Sequence, residues 1–301
     1  MTADTRTPPP FGRTLCAMIT PFTATGALDL DTARQHASRL VAEGCDGLVL
    51  SGTTGESPTT TDAEKAALLR AVREAVGPAV PLVSGVGGPD TRHTLRLARE
   101  AEEAGADGLL LVSPYYSRPQ QSAVETYFTR VADAAGIPLM LYDIPGRTGT
   151  RIEPDTLLRL AEHPRIVAVK DCSYDLLGAT KVMSRTSLAY YSGCEELNLA
   201  LYALGGAGYV STVANVAPRQ MRAVLDAFDA GDTTGAARLN GLTVELVELM
   251  MASGLPGTVT AKALLPTGPV REPLQPAGEE AADALREARR RLVATTPPKS
   301  P

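Results

Sequence analysis

Eight short apolar runs, each followed by a longer amphipathic stretch, constrain this 301-residue chain more than any other feature. They are Leu15–Thr20, Gly47–Leu50, Pro81–Val86, Gly108–Val112, Pro138–Tyr142, Ile166–Val169, Leu188–Tyr191 and Gly208–Val213. Each is nearly continuous in apolar character, the pattern of strands buried on both faces of a parallel sheet. Eight strands alternating with about as many helices predict an α/β fold, a (β/α)₈ TIM barrel with a small C-terminal helical extension. No G-x-G-x-x-G follows the first strand, which argues against a dinucleotide fold: the nearest approach, Gly85-Val-Gly-Gly88, has Asp90 where the last glycine belongs.

The intervening segments carry helix signals. In Asp31–Glu43 the residues Ala33, Ala37, Leu40 and Val41 fall on one helical face. Thr61-Asp-Ala-Glu64 has capping-box spacing, Gly105 stands as a helix stop, and Pro154 and Pro218 sit where first-turn prolines belong. Three helices close with a similar phrase, Glu43-Gly-Cys-Asp-Gly47, Glu103-Ala-Gly-Ala-Asp-Gly108 and Leu204-Gly-Gly-Ala-Gly208, a weak echo of one βα unit. Beyond residue 231 the strand pattern stops. Ala236–Met251 and Glu279–Val293 read as helices separated by the Pro- and Gly-rich Gly254–Gly278. We therefore expect a disordered extension over 1–10, the barrel over 11–231, and a helical region with a disordered tail over 232–301.

Composition narrows the function classes. The net charge is −5, with no basic stripe of the kind nucleic acid requires; Arg289, Arg290 and Arg291 read as a solvated helix face. No apolar stretch approaches a membrane span, and no secretory signal opens the chain, so a cytoplasmic protein is expected. The four cysteines are widely spaced, and His36, His93 and His163 are isolated, so neither disulfides nor a metal site is expected. An organic cofactor is not expected either.

Chemistry in such a barrel belongs at the C-terminal strand ends. Those ends read Gly52-Thr-Thr-Gly-Glu56, Ser113-Pro-Tyr-Tyr116, Tyr142-Asp-Ile-Pro-Gly-Arg147, Lys170-Asp171 and Gly193-Cys-Glu195. Lys170 directly follows Ile166-Val-Ala-Val169. A buried lysine loses its charge more readily, and only the neutral amine attacks a carbonyl; position alone also allows a lysine snorkelling to solvent. Tyr142 is a proton carrier or a packed core phenol. Arg147 is a two-point carboxylate binder or a surface cation. The glycine-bracketed Gly52–Glu56 turn could offer backbone N–H groups to an anion.

Taken together, these motifs resemble the pyruvate-dependent class I aldolases of the dihydrodipicolinate synthase and N-acetylneuraminate lyase family, in order and spacing, from about Leu15 to the C-terminal helices. The wording Ser51-Gly-Thr-Thr-Gly-Glu-Ser-Pro-Thr-Thr60 and Leu141-Tyr-Asp-Ile-Pro-Gly-Arg-Thr148 is similar to actinobacterial members. The resemblance implies a Schiff base between Lys170 and pyruvate, with Tyr142 as proton donor and acceptor. It implies that Thr53 and Tyr116 complete a proton relay, Tyr116 reaching in from a neighbouring subunit of a dimer of dimers. Thr54 and the backbone at Val210 would hold the pyruvate carboxylate, and Arg147 that of the second substrate. The implied reaction joins pyruvate to L-aspartate-4-semialdehyde, giving 4-hydroxy-tetrahydrodipicolinate on the way to diaminopimelate and lysine. The alternatives are a sister aldolase or hydro-lyase acting on a sugar acid or 4-hydroxy-2-oxo acid, and a silent paralogue that binds 2-oxo acids.

The match departs at Asp171-Cys-Ser-Tyr-Asp175 and at Ser192-Gly-Cys-Glu195, where relatives usually carry a small residue then Lys, and Ser-Gly-Asp-Asp. Lys65 and His93 stand where the inhibitory lysine of some members would bind, so no feedback inhibition by lysine is expected. Cys172 lies two residues beyond Lys170, on the same face if the strand persists.

Overall fold

The computed structural model describes residues 9–295. Eight parallel strands close in sequence order: β1 (Thr14–Ala17), β2 (Gly47–Leu50), β3 (Leu82–Gly85), β4 (Gly108–Val112), β5 (Leu139–Asp143), β6 (Ile166–Asp171), β7 (Ala189–Ser192) and β8 (Gly208–Ser211), with β8 pairing back onto β1. Helices α1 (Leu30–Ala42), α2 (Asp62–Val76), α3 (Thr91–Glu103), α4 (Gln121–Ala134), the one-turn α5 (Pro145–Thr148), α6 (Pro154–Leu160), α7 (Leu176–Met183), α8 (Asn198–Ala203) and α9 (Pro218–Asp229) form the connections. The expected barrel is present. Pro9 accepts the Gly12 N–H (3.3 Å), so Pro9 and Pro10 belong to the folded chain. The rest of the expected N-terminal extension, and the tail from 296, lie outside the described residues.

Strand alternation sorts the barrel's side chains. Leu15, Val49, Val83, Leu110, Met140, Ala168 and Val210 fill the interior. Cys16, Leu48, Leu82, Leu109, Leu141, Val169 and Tyr190 face the helices. Lys170 therefore follows Ala168 inward, and Tyr142 follows Met140. The helix signals hold: Thr61 and Glu64 form the capping box of α2, and Pro154 and Pro218 open α6 and α9.

The boundaries of β3, β5 and β7 move by one residue from their apolar runs, and β1 and β8 stop well short of theirs for a hydrogen-bonding reason. β1 stops short of Thr20 because the Ile19 N–H donates to the Asn215 side chain (3.1 Å) instead of a ladder. β8 stops short of Val213 because the N–H groups of Thr212 and Val213 donate to the Glu195 carboxylate (2.6 and 3.0 Å). Conversely, β6 runs on through Lys170 and Asp171, paired with Tyr142 and Asp143.

Three helices follow the barrel: α10 (Thr233–Met251), α11 (Gly257–Ala263) and α12 (Glu279–Thr295). Met250, Ala261, Leu285 and Leu292 pack with Ile19, Tyr209 and Val213 on one side of the barrel. Helix α11 lies within the stretch read as a Pro- and Gly-rich separator. It carries the buried Lys262, whose ammonium meets Glu56 (2.7 Å), the Pro269 carbonyl (2.8 Å) and the Phe22 ring (4.1 Å). The Arg271 N–H donates to the same Glu56 carboxylate (2.8 Å). Arg289, expected on a solvated face, instead donates to the Val216 carbonyl (2.9 Å), while Arg290 and Arg291 are exposed and pair with Glu287. Among the described residues no helix is long and apolar enough to cross a membrane.

The Glu56–Lys262 pair is almost wholly buried (1% and 3% exposed), so removing one partner strands the other's charge. Lys262→Met is expected to cost about 3–5 kcal/mol in denaturant unfolding, and Glu56→Gln/Lys262→Met to recover much of that. A loss below about 1 kcal/mol, the size of an exposed pair, would show that the pair does not hold this region together.

Candidate active site

Lys170 lies inside the mouth of the barrel, 6% exposed, its Nζ 4.4 Å from the centre of the Tyr142 ring. The two residues are register partners on β5 and β6, so their meeting is dictated by the sheet and not by a flexible loop. Burial pulls the Lys170 pKa down; charge on Cys172 and on Glu195 opposes that shift. Burial also pushes the Tyr142 phenol up, while a hydrogen bond from Thr53 favours its ionised form. Lys170, Tyr142 and Thr53 thus form one contiguous group.

Glycines make this packing possible. A Cβ at Gly193 would stand 2.4 Å from the Cys172 Sγ and 2.9 Å from the Lys170 Cε. A Cβ at Gly85 would meet the Ser51 carbonyl at 2.3 Å, so the turn after β2 can press against the end of β3. That turn is also held in an unusual backbone: Ser51 and Glu56, which bracket Gly52–Gly55, have φ of 52° and 56°. Non-glycine residues persist there only where surroundings over-determine them. Glu56 is fixed by Lys262 and Arg271, and the Thr54 carbonyl accepts from Thr258 on α11 (3.1 Å).

Thr54 is buried, and its hydroxyl meets that of Thr212, just after β8 (2.9 Å). Val210 belongs to the same interior cluster as Tyr142. Arg147 is exposed on α5 and makes no ion pair among the described residues; its charge acts on both Tyr142 and Lys170. Tyr116 stands apart. It is 94% exposed with φ of 74°, and so packs on almost nothing of its own chain. The structure brings together Lys170, Tyr142 and Thr53 on one side and Thr54 with the β8 end on the other, and leaves Tyr116 outside.

Above Tyr142 opens a cleft of about 380 Å³, lined by Gly52, Thr53, Val112, Tyr115, Ile144 and Arg147 among others. That is the range of small-molecule sites. Its far end holds Lys65, His93 and Asp62, with His93 hydrogen-bonded to Asp62 (2.9 Å) and the Lys65 ammonium donating to the Thr60 carbonyl (2.5 Å). Among the described residues no three His, Cys, Asp or Glu side chains converge as metal ligands.

Among the groups that build the site, Glu195 stood at a strand end with no role given to it, and Thr212, Thr258 and Lys262 had little or no sequence signal. Glu195 is buried and accepts from Ser211 (2.9 Å), Asn198 (3.0 Å) and the two N–H groups after β8. It fixes the loop that presents Thr212 to Thr54. Reading polar residues past β8 as strictly as those past β2 would have found Thr212. Thr258 and Lys262 lie in a stretch with no such cue.

A model of the dihydrodipicolinate synthetase family matches residues 10–291. The chain is 70% identical to 4-hydroxy-tetrahydrodipicolinate synthase 1 of Streptomyces coelicolor, covering 95% of each chain. Among solved structures it is similar to dihydrodipicolinate synthase DapA-2 from Bacillus anthracis (36% identity, TM-score 0.90, covering 96% of this chain and 99% of that one). It is also similar to the lysine-bound enzyme from Cyanidioschyzon merolae (34% identity, TM-score 0.91, covering 94% and 99%).

Behind the site, Asp143 points the other way from Tyr142. Burial pushes its carboxyl up to about 7, with Asp171 adding to that and the Ile152 N–H (3.1 Å) and Arg151 opposing it. A free aspartate titrates near 4, so the folded state holds a proton that the unfolded chain releases between about pH 4 and 7. Asp143 ionisation therefore lowers stability as pH rises through that window. Asp143→Asn should gain stability relative to the parent by several degrees in Tm, roughly, between pH 4.5 and 8. A difference in Tm that does not change with pH would contradict this.

Proposed function

The chain belongs to the dihydrodipicolinate synthetase family, and on that premise we propose that it condenses pyruvate with L-aspartate-4-semialdehyde through a Schiff base on Lys170. It is a lyase of the class I aldolase type. The observation that carries the proposal is the Lys170 amine, buried and pressed against the ring of Tyr142, which lines the cleft. Desolvation raises its neutral fraction, and the neutral amine is the form that adds to a ketone.

The Lys170 nitrogen adds to the pyruvate carbonyl carbon, and water leaves as the imine forms. Tyr142, hydrogen-bonded to Thr53, carries the protons this requires. Loss of a methyl proton gives the enamine, which attacks the aldehyde carbon. The amine of the second substrate then displaces Lys170 and closes the ring, giving 4-hydroxy-tetrahydrodipicolinate. Thr54 and the backbone at Val210 hold the pyruvate carboxylate, and Arg147, on the wall of the cleft and without an ion pair among the described residues, holds that of the semialdehyde.

Tyr116 completes the proton relay in the site of a second copy of the chain, within a dimer of dimers. Its 94% exposure and strained backbone support that role, since a tyrosine held out from its own chain has its ring free for a neighbour. Tyr116→Phe should lower kcat by roughly 100-fold, the usual scale of one proton-transfer group. Mixing it with Lys170→Ala, itself inactive, should restore activity, because some hybrid sites then hold both an intact Lys170 and an intact Tyr116. No recovery on mixing would place Tyr116 in its own chain's site.

The reaction is tested by steady-state turnover with pyruvate and a panel of aldehydes. Turnover with L-aspartate-4-semialdehyde well above that with sugar-derived aldehydes is expected; the reverse order would favour a sister aldolase. Lysine added at about 1 mM should leave the rate unchanged, because the Lys65 ammonium repels a second cation at that end of the cleft.

A further inference from the structure

Cys172 and Cys194 occupy the wall of the Lys170 chamber, and the mechanism above uses neither. Their side chains lie close enough that each shifts the other's ionisation, and both belong to the interior cluster that contains Tyr142. The backbone brings them to this distance. Asp171 and Ser192 are register partners on β6 and β7, and the Gly193 N–H donates to the Asp171 carbonyl (2.8 Å). Continuing that register past the strand ends sets Cys172 opposite Gly193, whose Cβ would stand 2.4 Å from the Cys172 Sγ, with Cys194 one residue further on. Neighbouring strands run about 4.8 Å apart, so this offset falls within the Cα separation of about 4.4–6.8 Å that a disulfide spans.

We propose that Cys172 and Cys194 are a reversible redox switch, closed to a disulfide by a hydroperoxide and opened by a dithiol reductant, and that closure stops turnover at Lys170. The two thiols have unequal tasks. The hydrogen bond from Cys194 and the nearby Lys170 charge pull the Cys172 pKa down, whereas the bond to Cys172 and burial push Cys194 up. Cys172 is therefore the attacking sulfur. Its thiolate attacks one peroxide oxygen, the O–O bond breaks, and a sulfenic acid forms with release of hydroxide, which takes up the proton that Cys172 lost. The Cys194 sulfur then attacks the sulfenic sulfur, the S–O bond breaks, and the departing hydroxide leaves as water with the Cys194 proton. Two thiols lose two electrons, and hydrogen peroxide is reduced to two waters.

Closure acts on the site because the chamber has no slack. The Cys172 thiol packs in the same interior cluster as Tyr142, and its sulfur shares with the Lys170 Cε the space beside Gly193. Drawing that sulfur to about 2.05 Å from its partner moves the surface against which Lys170 lies. Cys16 and Cys45 are a second pair of neighbouring thiols, but they face the helices in the outer core, and burial pushes Cys16 up. They serve as an internal control.

The loss of turnover rests on the Schiff-base reading, whereas the disulfide itself does not. The test treats the full chain with hydrogen peroxide, then runs non-reducing peptide mapping and the pyruvate-dependent assay in parallel. A Cys172–Cys194 cross-linked peptide is expected to accumulate as activity falls by about 100-fold, the scale of a small misplacement at a reacting group. Dithiothreitol should reverse both, with Cys16 and Cys45 left as thiols. Cys194→Ala should keep its activity and escape this reversible loss. The proposal is overturned if mapping finds no cross-link between these two residues, or a complete cross-link in fully active protein. A cross-link in protein that never turned over pyruvate would uphold the disulfide and sink the Schiff-base reading instead.

Discussion

Desolvation of one amine organises the mouth of this barrel. Lys170 continues the inward face of β6, where the preceding inward residue is Ala168, and its neighbours are a phenol, two thiols and a glycine with no room for a side chain. An ammonium held there loses hydration that those groups restore only in part, so its pKa falls. The opposing charges are kept at one remove. Glu195, the buried carboxylate whose charge acts on Lys170, spends its hydrogen-bonding capacity on Ser211, Asn198 and the backbone after β8. A direct carboxylate partner would have secured the charged, unreactive form.

A site that depends on excluded water needs rigid walls, and the chain supplies them from distant segments. The Gly52–Glu56 turn adopts a backbone that its own residues disfavour, and Glu56 is held by Lys262 and Arg271 from the C-terminal region. Thr258 on α11 anchors the same turn through the Thr54 carbonyl. Helices α10 to α12 thus do more than cover one side of the barrel: they fix the loop that carries Thr53 and Thr54. Desolvation offsets much of the attraction within the buried ion pair, so breaking it costs more than the intact pair contributes.

The fold was legible in the sequence because a closed parallel barrel needs little beyond eight doubly buried strands, and their apolar runs are continuous. The site was legible where a polar residue ends such a run, as at Tyr142 and Lys170. What the sequence hid depends on hydrogen bonds between segments far apart in the chain. The ends of β1 and β8 are set by Asn215 and Glu195 capturing backbone N–H groups, which no local pattern announces. Helix α11 owes its place to Lys262 and Thr258 reaching the Gly52–Glu56 turn, so its short Gly- and Thr-containing sequence reads as a linker when taken alone. Arg289 is drawn in by the Val216 carbonyl, against the usual fate of a charge run.

The central claim is that Lys170 is the amine that captures pyruvate, and chemical trapping tests it without reference to the second substrate. Sodium borohydride added to the protein with pyruvate reduces an imine to a stable secondary amine, which peptide mass mapping then locates. The account predicts irreversible inactivation and a single pyruvate-derived adduct on Lys170, with Lys65, Lys181 and Lys262 unmodified. No adduct, or an adduct on another lysine while Lys170 stays free, would contradict it.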